Sequence, residues 1–512
     1  MTRVKMMNSC SQLFWCFSLL AALQMPLVAA ADDEQSPRPN IIIFLADDLG
    51  YGDLGSYGHP VIQTPHLDRF AKQGVRMLDM HSAGTVCSPS RASLLTGRNA
   101  YRSGYYNIAG FWGTTLQKEE ITIGHLLQEA GYETAYFGKW HLSKLENDDE
   151  VGINEMGFDY SFATSVNAFE GPENPQKFIR NGTAVGEVQG WYVDVIVEEA
   201  SNWITNKKED DDPFFAIIAT HEPHTPISPP KKFSQLYQDQ EIQKLSRHIE
   251  YGGVPRPLRD ISKNKKEYYG TVTQVDHAFG DLMQFVDDER LAENTLVVFT
   301  SDNGPEYPVS LEESYGEWED PIRDKSFGTP GKLRGMKRYP YEGGHRVPGL
   351  ARWPGHIPAG IVSDKLFNGT DFLPTIANLT GASIPNDRPI DGTDAFNAFL
   401  DKEYDREVSP MWFFPVNYSH MPGMAHMAMR KDNHVLVGHL SPNPENVAGD
   451  KKIDWIKTAF PVDFELYNIE NDVTQTINLA ETKHELMMDL IPMMQRRWIN
   501  IRDEGPWWNR TD

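Results

Sequence analysis

Three stretches of this 512-residue chain carry an unbroken apolar run that stops abruptly at polar residues. They are "NIIIFLADDLGYGDLG", which starts at Asn40, "PFFAIIATHEPHTP" at 213–226 and "NTLVVFTSDNGPE" at 294–306. Runs of this length without polar alternation fit strands buried on both faces, as in a parallel sheet. In open α/β sheets, ligands gather at the carboxyl ends of strands. Three strands that each end in reactive residues therefore predict one shared site. Between them, "ITIGHLLQEAG" (121–131) and "YYGTVTQVDHAFGDLMQFVDD" (268–288) carry helical periodicity. This alternation predicts a doubly wound α/β domain.

The texture changes around residues 385–410. Beyond it, "HVLVGHL" and "FELYNI" read as short strands, and "KHELMMDLIPMMQRRWINIRD" as a closing helix interrupted by Pro492. The predicted architecture is α/β, with a doubly wound catalytic domain over 40–395 and a smaller α+β subdomain over 396–512. The chain has no internal repeat and no low-complexity tract. The charged run "NKKEDDDP" (206–213) reads as a solvated loop.

Residues 1–31 have the layout of a secretory signal: Arg3 and Lys5, then the apolar "LFWCFSLLAAL", then the small residues of "LVAAA". Residues 32–39 follow as a polar linker. The apolar run is too short for a membrane span, and Cys16 follows Trp15 where a lipoprotein site needs a small residue. The expectation is an exported, soluble protein that does not span a membrane. Of the three cysteines, Cys10 and Cys16 leave with the leader, so the mature chain keeps Cys87 alone. A single thiol cannot form an internal disulfide, and a chain this long has no need of one. Cys87 can be a small buried hydrophobe, but an unpaired thiol in an exported protein also invites a chemical role.

The formal charge of −24 becomes −26 once Arg3 and Lys5 are removed. Such a surface argues against nucleic acid or anionic membrane as a partner. An anionic substrate would need local attraction, from a metal or a few placed cations. Asp47 and Asp48 at one strand end, with Asp302 and Asn303 at another, supply four hard oxygen ligands. Taken separately, both pairs are ordinary turn residues; together they suit calcium or magnesium better than zinc. The cation candidates are Arg91, four residues after Cys87, Lys139 in "YFGKWHL" and Lys337 in "LRGMKRYPYEGG". The histidine candidates are His141, His221 and His224. A lone lysine or histidine is more often surface or packing. Lys139 and His141 are expected on one face if "GKWHL" is extended.

"CSPSRASLLTG" resembles the signature of the sulfatase family, in which the cysteine of a Cys-x-Pro-x-Arg run becomes formylglycine (3-oxoalanine) after synthesis. "GYETAYFGKWHL" resembles the family's second signature, and "PHTP", "TSDNG", "KRYPYEGG" and "FELYNIENDVTQTINLA" follow in the family's order. The likeness runs from about residue 40 to the end, and its texture is closest to the arylsulfatase A and N-acetylgalactosamine-6-sulfatase types. It implies an alkaline-phosphatase-like fold and hydrolysis of sulfate esters on carbohydrates or aryl alcohols. It implies calcium held by Asp47, Asp48, Asp302, Asn303 and the modified residue 87. It also implies roles for Arg91 at the formylglycine diol, for Lys139 and Lys337 on sulfate oxygens, and for His141 as base. The leaving-group acid falls to His224 of "PHTP", with His221 as its rival and a further substrate contact. A formylglycine-generating enzyme is implied as maturation partner. Ser143 stands where glycine is common in the family.

Two alternatives remain at this level: a formylglycine-dependent phosphodiester or phosphonate hydrolase, and an inactive relative that only binds sulfated glycans. Nothing in "NIAGFWG" (107–113) or "WFFPVNYSH" (412–420) names a sugar. Five glycosylation sequons, at Asn181, Asn368, Asn378, Asn417 and Asn509, matter only in a glycosylating host. The scarcity of cysteine in an exported chain leans towards a bacterial periplasmic or secreted protein.

Overall fold

All three apolar runs form strands, and they lie side by side. In the computed structural model they are β1 (Asn40–Ala46), β8 (Phe214–Ala219) and β9 (Thr295–Ser301), with β1 parallel to both neighbours. The structure describes residues 38–110, 114–168, 170–207, 212–238, 265–307, 326–415, 425–442 and 451–507. The proposed leader, most of the linker, residues 208–211 of the charged run, parts of both aromatic loops, Asn417 and Asn509 lie outside them.

The remaining strands in chain order are β2 (Val75–Met77), β3 (Met80–His81), β4 (Glu133–Lys139), β5 (Tyr160–Thr164), β6 (Phe178–Arg180) and β7 (Thr183–Gly186). They continue with β10 (Gly349–Arg352), β11 (Ile361–Ser363), β12 (Phe367–Asn368), β13 (Met411–Phe413), β14 (Met427–Lys431), β15 (His434–Ser441) and β16 (Phe460–Asn468). Ten of them form one sheet in the order β11-β2-β10-β9-β1-β8-β4-β5-β6-β7. Its centre is parallel; β10 runs antiparallel to both β9 and β2.

Strand side chains alternate between faces, and β1 shows why its run has no polar gaps. Ile42, Phe44 and Ala46 enter a core with the helices Tyr192–Lys207 and Lys265–Asp288. Ile41, Ile43 and Leu45 enter a second core, with the helices Cys87–Thr96, Ile123–Glu129 and Phe372–Thr380. Both faces are covered, so each isoleucine, leucine and phenylalanine side chain contributes roughly 1.5–3 kcal/mol of burial. The fold is a doubly wound α/β sheet.

The second sheet, β13-β14-β15-β16, is antiparallel. The helix His484–Glu504 packs on one of its faces through Leu490, Met494, Trp498 and Ile501. This helix is not interrupted: Pro492 lies inside it. Proline removes the hydrogen bond to the carbonyl four residues earlier. That residue is Met488, which is exposed. On the other face, Trp412, Val435 and Val437 pack with Val86, Met336, Tyr339 and Tyr341, which flank Cys87 and Lys337. The small sheet therefore buttresses the segments that carry two of the predicted site residues. Among the sequons, Asn368 is buried and its side chain caps a turn at Thr370, which closes it to glycosylation. No helix among the described residues is long and apolar enough to cross a membrane.

Buried Asp391 ties the end of the Cys87 helix to the closing helix. Its carboxylate accepts from Arg102 Nε at 2.8 Å, Arg497 Nη2 at 3.0 Å and Asn99 N at 2.6 Å. Burial alone would raise its pKa; the hydrogen bonds and charges of Arg102 and Arg497 outweigh that and hold it below the usual carboxylate range. A depressed carboxyl stabilises the fold above its unfolded pKa, about 3.9, and that contribution is lost as pH falls through the folded value. Asp391→Asn is therefore expected to cost about 3 kcal/mol at pH 7, because it leaves two guanidinium groups poorly paired. Urea unfolding should show the gap to wild type narrowing below about pH 4.

Candidate active site

The residues just past the central strands meet at one edge because main-chain pairing continues beyond the strands. Asp302 N donates to Ala46 O at 3.0 Å, Thr220 N to Leu45 O at 2.9 Å and Asp47 N to Glu222 O at 3.2 Å. These bonds hold Asp47 and Asp48 next to Asp302 and Asn303 on one side, and next to the His221–His224 turn on the other. Asp48 has φ of +65°, a left-handed conformation that aspartate tolerates better than most residues. Its N–H faces Asp302 Oδ1 at 3.3 Å.

Cys87 is the first residue of the helix Cys87–Thr96, and Arg91 lies one turn further on. The i, i+4 spacing puts both side chains on one helix face, which is the physical content of the Cys-x-x-x-Arg spacing. Ser88 Oγ donates to His141 O at 2.7 Å and Arg91 Nη1 to Lys139 O at 2.6 Å, so this helix is fastened to the end of β4.

The side chains converge. Cys87 Sγ lies 3.5 Å from Asp47 Oδ1 and 4.0 Å from Asp48 Oδ1. Lys139 donates to Asp47 Oδ2, and Lys337 Nζ lies 2.7 Å from Asp48 Oδ2. Arg91 Nε donates to Asp302 Oδ2 at 2.8 Å. Asn303 Nδ2 donates to Asp48 Oδ1 at 2.7 Å, while its own Oδ1 is buried without a partner. His224 Nε2 is 3.6 Å from Asp48 Oδ2; its Nδ1 donates to Thr225 O at 2.6 Å. Cys87 itself is only 1% exposed. Burial, and then the Asp47 charge, push its thiol far above the ordinary range, so it is not a ready thiolate.

Three buried carboxylates in one place strain their own ionisation. Burial raises Asp48 to about 7 against the pull of Lys337, with Asp47, Glu306 and Asp302 pushing the same way as burial. Burial and then Asp47 raise Asp302. Asp47 stays well below the usual range because Lys139, His224, Arg91 and Lys337 together overcome its burial. Among the described residues, Asp47, Asp48, Cys87 and His224 have ligand atoms within 4.8 Å of one another. With the orphaned Asn303 Oδ1, this is a site of mostly hard oxygen donors, and it fits a hard divalent cation.

Two expectations change. Lys139 and His141 do not share the face of an extended strand: β4 ends at Lys139, and His141 turns back with φ of +58°. They remain neighbours in the field of the site, since the Lys139 charge is among those that lower His141, after burial. His141 Nδ1 is buried without a partner. His221, named with His224 as a substrate contact, sits beneath the site with no exposure. Its Nδ1 accepts from Asn167 Nδ2 at 3.1 Å and its Nε2 donates to Pro226 O at 3.1 Å.

Asn167 was not predicted. Its Nδ2 also reaches Asp47 Oδ2 at 2.9 Å. No motif marks it; the only signal is its place just beyond β5, at the same sheet edge as Lys139. Glu306 was missed as well. It lies 3.6 Å from Lys337 Nζ and accepts from Arg338 Nη2 at 2.9 Å.

Residues 39–382 match the family model described as Sulfatase, and the chain belongs to the sulfatase family. It is a sulfuric ester hydrolase with an alkaline-phosphatase-like fold. Arylsulfatase G of Mus musculus is 32% identical over 406 residues, which cover 72% of this chain and 70% of that protein. N-acetylgalactosamine-6-sulfatase of Canis lupus familiaris is 32% identical over 407 residues, 75% of this chain and 69% of that one. The crystal structure of Ps i-CgsB in complex with k-i-k-neocarrahexaose matches with a TM-score of 0.71 at 26% identity, covering 93% of this chain and 95% of that one.

Proposed function

We propose that this protein hydrolyses sulfate esters on carbohydrates, using formylglycine made from Cys87 and one bound calcium ion. The observation that supports this most is that Cys87 Sγ faces Asp47 and Asp48, which are joined to Asp302 and Asn303, with Arg91, Lys139 and Lys337 set against those carboxylates. Asp47, Asp48, Asp302, Asn303 and residue 87 would hold the ion, whose fixed charge polarises oxygens in its reach. Hydrated formylglycine would supply one hydroxyl to attack sulfur as the S–O bond to the alcohol breaks, and a second whose deprotonation would break the C–O bond to sulfate and regenerate the aldehyde.

The chain's own residues do the rest. Lys139 and Lys337, which lie on Asp47 and Asp48 here, hold sulfate oxygens when those carboxylates face a cation. This gives an acidic protein a local positive pocket for an anion. Arg91, anchored by Asp302, steadies negative charge at residue 87. His224 gives a proton to the departing alcohol from Nε2, since Nδ1 is committed to Thr225 O. His221 is disfavoured for that task because both its nitrogens are engaged below the site. His141 takes the proton from residue 87 in the release step.

A sugar substrate is supported by the name N-acetylgalactosamine-6-sulfatase of one relative and the neocarrahexaose held by one structural neighbour. Maturation by a formylglycine-generating enzyme, and export to a bacterial periplasm or medium, rest on the sequence patterns around Cys87 and in residues 1–31.

The leaving group tests this reading. A sugar alkoxide needs a proton as the S–O bond breaks, whereas a nitrophenolate departs without one. His224→Ala should cut kcat/KM on a sugar sulfate by roughly 10²–10⁴-fold and on nitrophenyl sulfate far less. His141→Ala should slow both substrates alike, because sulfate release no longer involves the original alcohol. Steady-state kinetics on the two sulfates, with a nitrophenyl phosphonate as control, decide the matter. Faster turnover of the phosphonate than of either sulfate would refute the assignment.

A further inference from the structure

Two buried histidines outside the site, His81 and His345, meet with their Nδ1 atoms 2.9 Å apart. His81 ends β3, six residues before Cys87, and His345 ends the short helix Glu342–His345, eight residues after Lys337. Burying imidazole is unfavourable unless its nitrogens are paired, and here all four are. His345 Nε2 faces Pro340 O at 3.3 Å and donates to it. His345 Nδ1 is then the acceptor for His81 Nδ1, so the two rings together hold three ring protons, one more than two neutral imidazoles carry. His81 Nε2 donates to Asp79 Oδ1 at 2.8 Å. Trp412 stacks on the His345 ring at 3.8 Å and 8°, and donates to Ser82 O at 2.7 Å.

His81, Glu342 and His345 also bring ligand atoms within 4.8 Å of one another, as a metal site would. The surrounding charges argue otherwise. Arg430 Nη2 lies 2.8 Å from Asp79 Oδ2, and Arg346 Nη1 lies 3.0 Å from Glu342 Oε2. Two guanidinium groups and the third ring proton of the pair already face the two carboxylates, which leaves no negative charge for a metal cation. The pair is a directional hydrogen bond in a place where apolar rings would have filled the space.

The backbone around the pair shows what it joins. Ser82 N donates to His345 O at 2.8 Å and Val347 N to Met80 O at 2.9 Å. Further along, Arg338 N donates to Thr85 O at 2.8 Å. The stretch that enters Cys87 and the stretch that leaves Lys337 are thus fastened at both ends. From these two stretches, Cys87 Sγ and Lys337 Nζ reach the same carboxylate, Asp48.

We propose that the His81–His345 pair is a positioning device that sets Lys337 against residue 87, acting on sulfate-ester chemistry through Lys337 without touching substrate. It rests on the sulfate-holding role given to Lys337 above. A displacement of about 1 Å at a reacting centre costs on the order of 10²-fold in rate, so a hydrogen bond that fixes the spacing of these two stretches matters more than its own strength.

A double-mutant cycle on nitrophenyl sulfate tests it, because coupled residues depart from additivity. His345→Phe keeps a ring stacked on Trp412 and removes the hydrogen bond. It should lower kcat/KM by roughly 10–100-fold where Lys337 is present, and by less than about threefold in the Lys337→Ala background. His345→Asn, whose Oδ1 can accept from His81, should recover most of the loss. Thermal unfolding of each variant separates loss of fold from loss of placement. If His345→Phe does not fold, His81→Gln goes through the same cycle and is read the same way. Equal losses in both backgrounds, or wild-type kcat/KM in folded His345→Phe, overturn the proposal. Wild-type turnover of the sulfate tests the functional reading separately. If turnover is normal and Lys337→Ala loses nothing, the pair has no route to the chemistry and the proposal falls alone.

Discussion

Cys87→Ser is expected to fold normally, to release at most one alcohol per chain and to keep the sulfate on the introduced serine. Cys87 is the first residue of a buried helix and burial and Asp47 keep its thiol protonated, so serine, smaller and also neutral, meets neither a steric nor a charge obstacle there. A serine hydroxyl can take sulfate from an ester in reach of Lys139 and Lys337. It has no second hydroxyl whose deprotonation could expel that sulfate again. Steady-state turnover should therefore fall by on the order of 10⁴–10⁶-fold, as when a nucleophile is removed from an active site that is otherwise intact. Intact-protein mass spectrometry after one addition of substrate should find the sulfated serine. The same measurement on active wild-type protein should find residue 87 as formylglycine in the peptide spanning 85–98. Sustained turnover by Cys87→Ser, or by wild-type protein that carries only unmodified cysteine, contradicts the proposed chemistry.

Removal of the proposed calcium should lower activity by about 10³-fold or more, since a metal's polarising charge contributes several kcal/mol in such sites. Protein stripped with a chelator should regain activity with calcium and not with zinc, because carboxylate and amide oxygens are the proposed donors. A second readout does not depend on turnover. At 100 times its Kd, calcium should stabilise the stripped protein by about 2.7 kcal/mol, visible as a rise in Tm. Stoichiometric zinc without calcium in active protein rules this assignment out. The structure also distinguishes between the proposed ligands. Asp302→Ala would take from the buried Arg91 guanidinium the carboxylate it bonds at 2.8 Å, leaving it Lys139 O and the more distant Asp47, and so would damage the fold as well as the site. Asn303→Ala keeps the Arg91–Asp302 pair and removes an oxygen that has no other partner, together with the Nδ2 bond to Asp48, so its Tm is measured beside its activity.

The sequence by itself determined the central sheet, the edge at which polar side chains gather and most of the residues assembled there. The reason is physical: a strand buried on both faces must be apolar throughout, so its polar end is conspicuous. Asp47, Asp48, Asp302 and Asn303 are legible for that reason, and Arg91 because helical spacing binds it to Cys87. The tertiary structure alone decided what depends on groups distant in the chain. It placed His221 beneath Asp47 with both nitrogens engaged, which leaves His224 as the histidine facing the cluster. It turned His141 out of the extended conformation, and it let the closing helix run through Pro492, where the carbonyl deprived of a partner belongs to an exposed residue. Asn167, Glu306 and the His81–His345 pair carry no local signal, because each owes its role to a partner between about thirty and two hundred and sixty residues away. Periodicity and spacing record the neighbours that a residue has along its own strand or helix. Hydrogen-bond partners brought in by separate elements are set only when those elements pack.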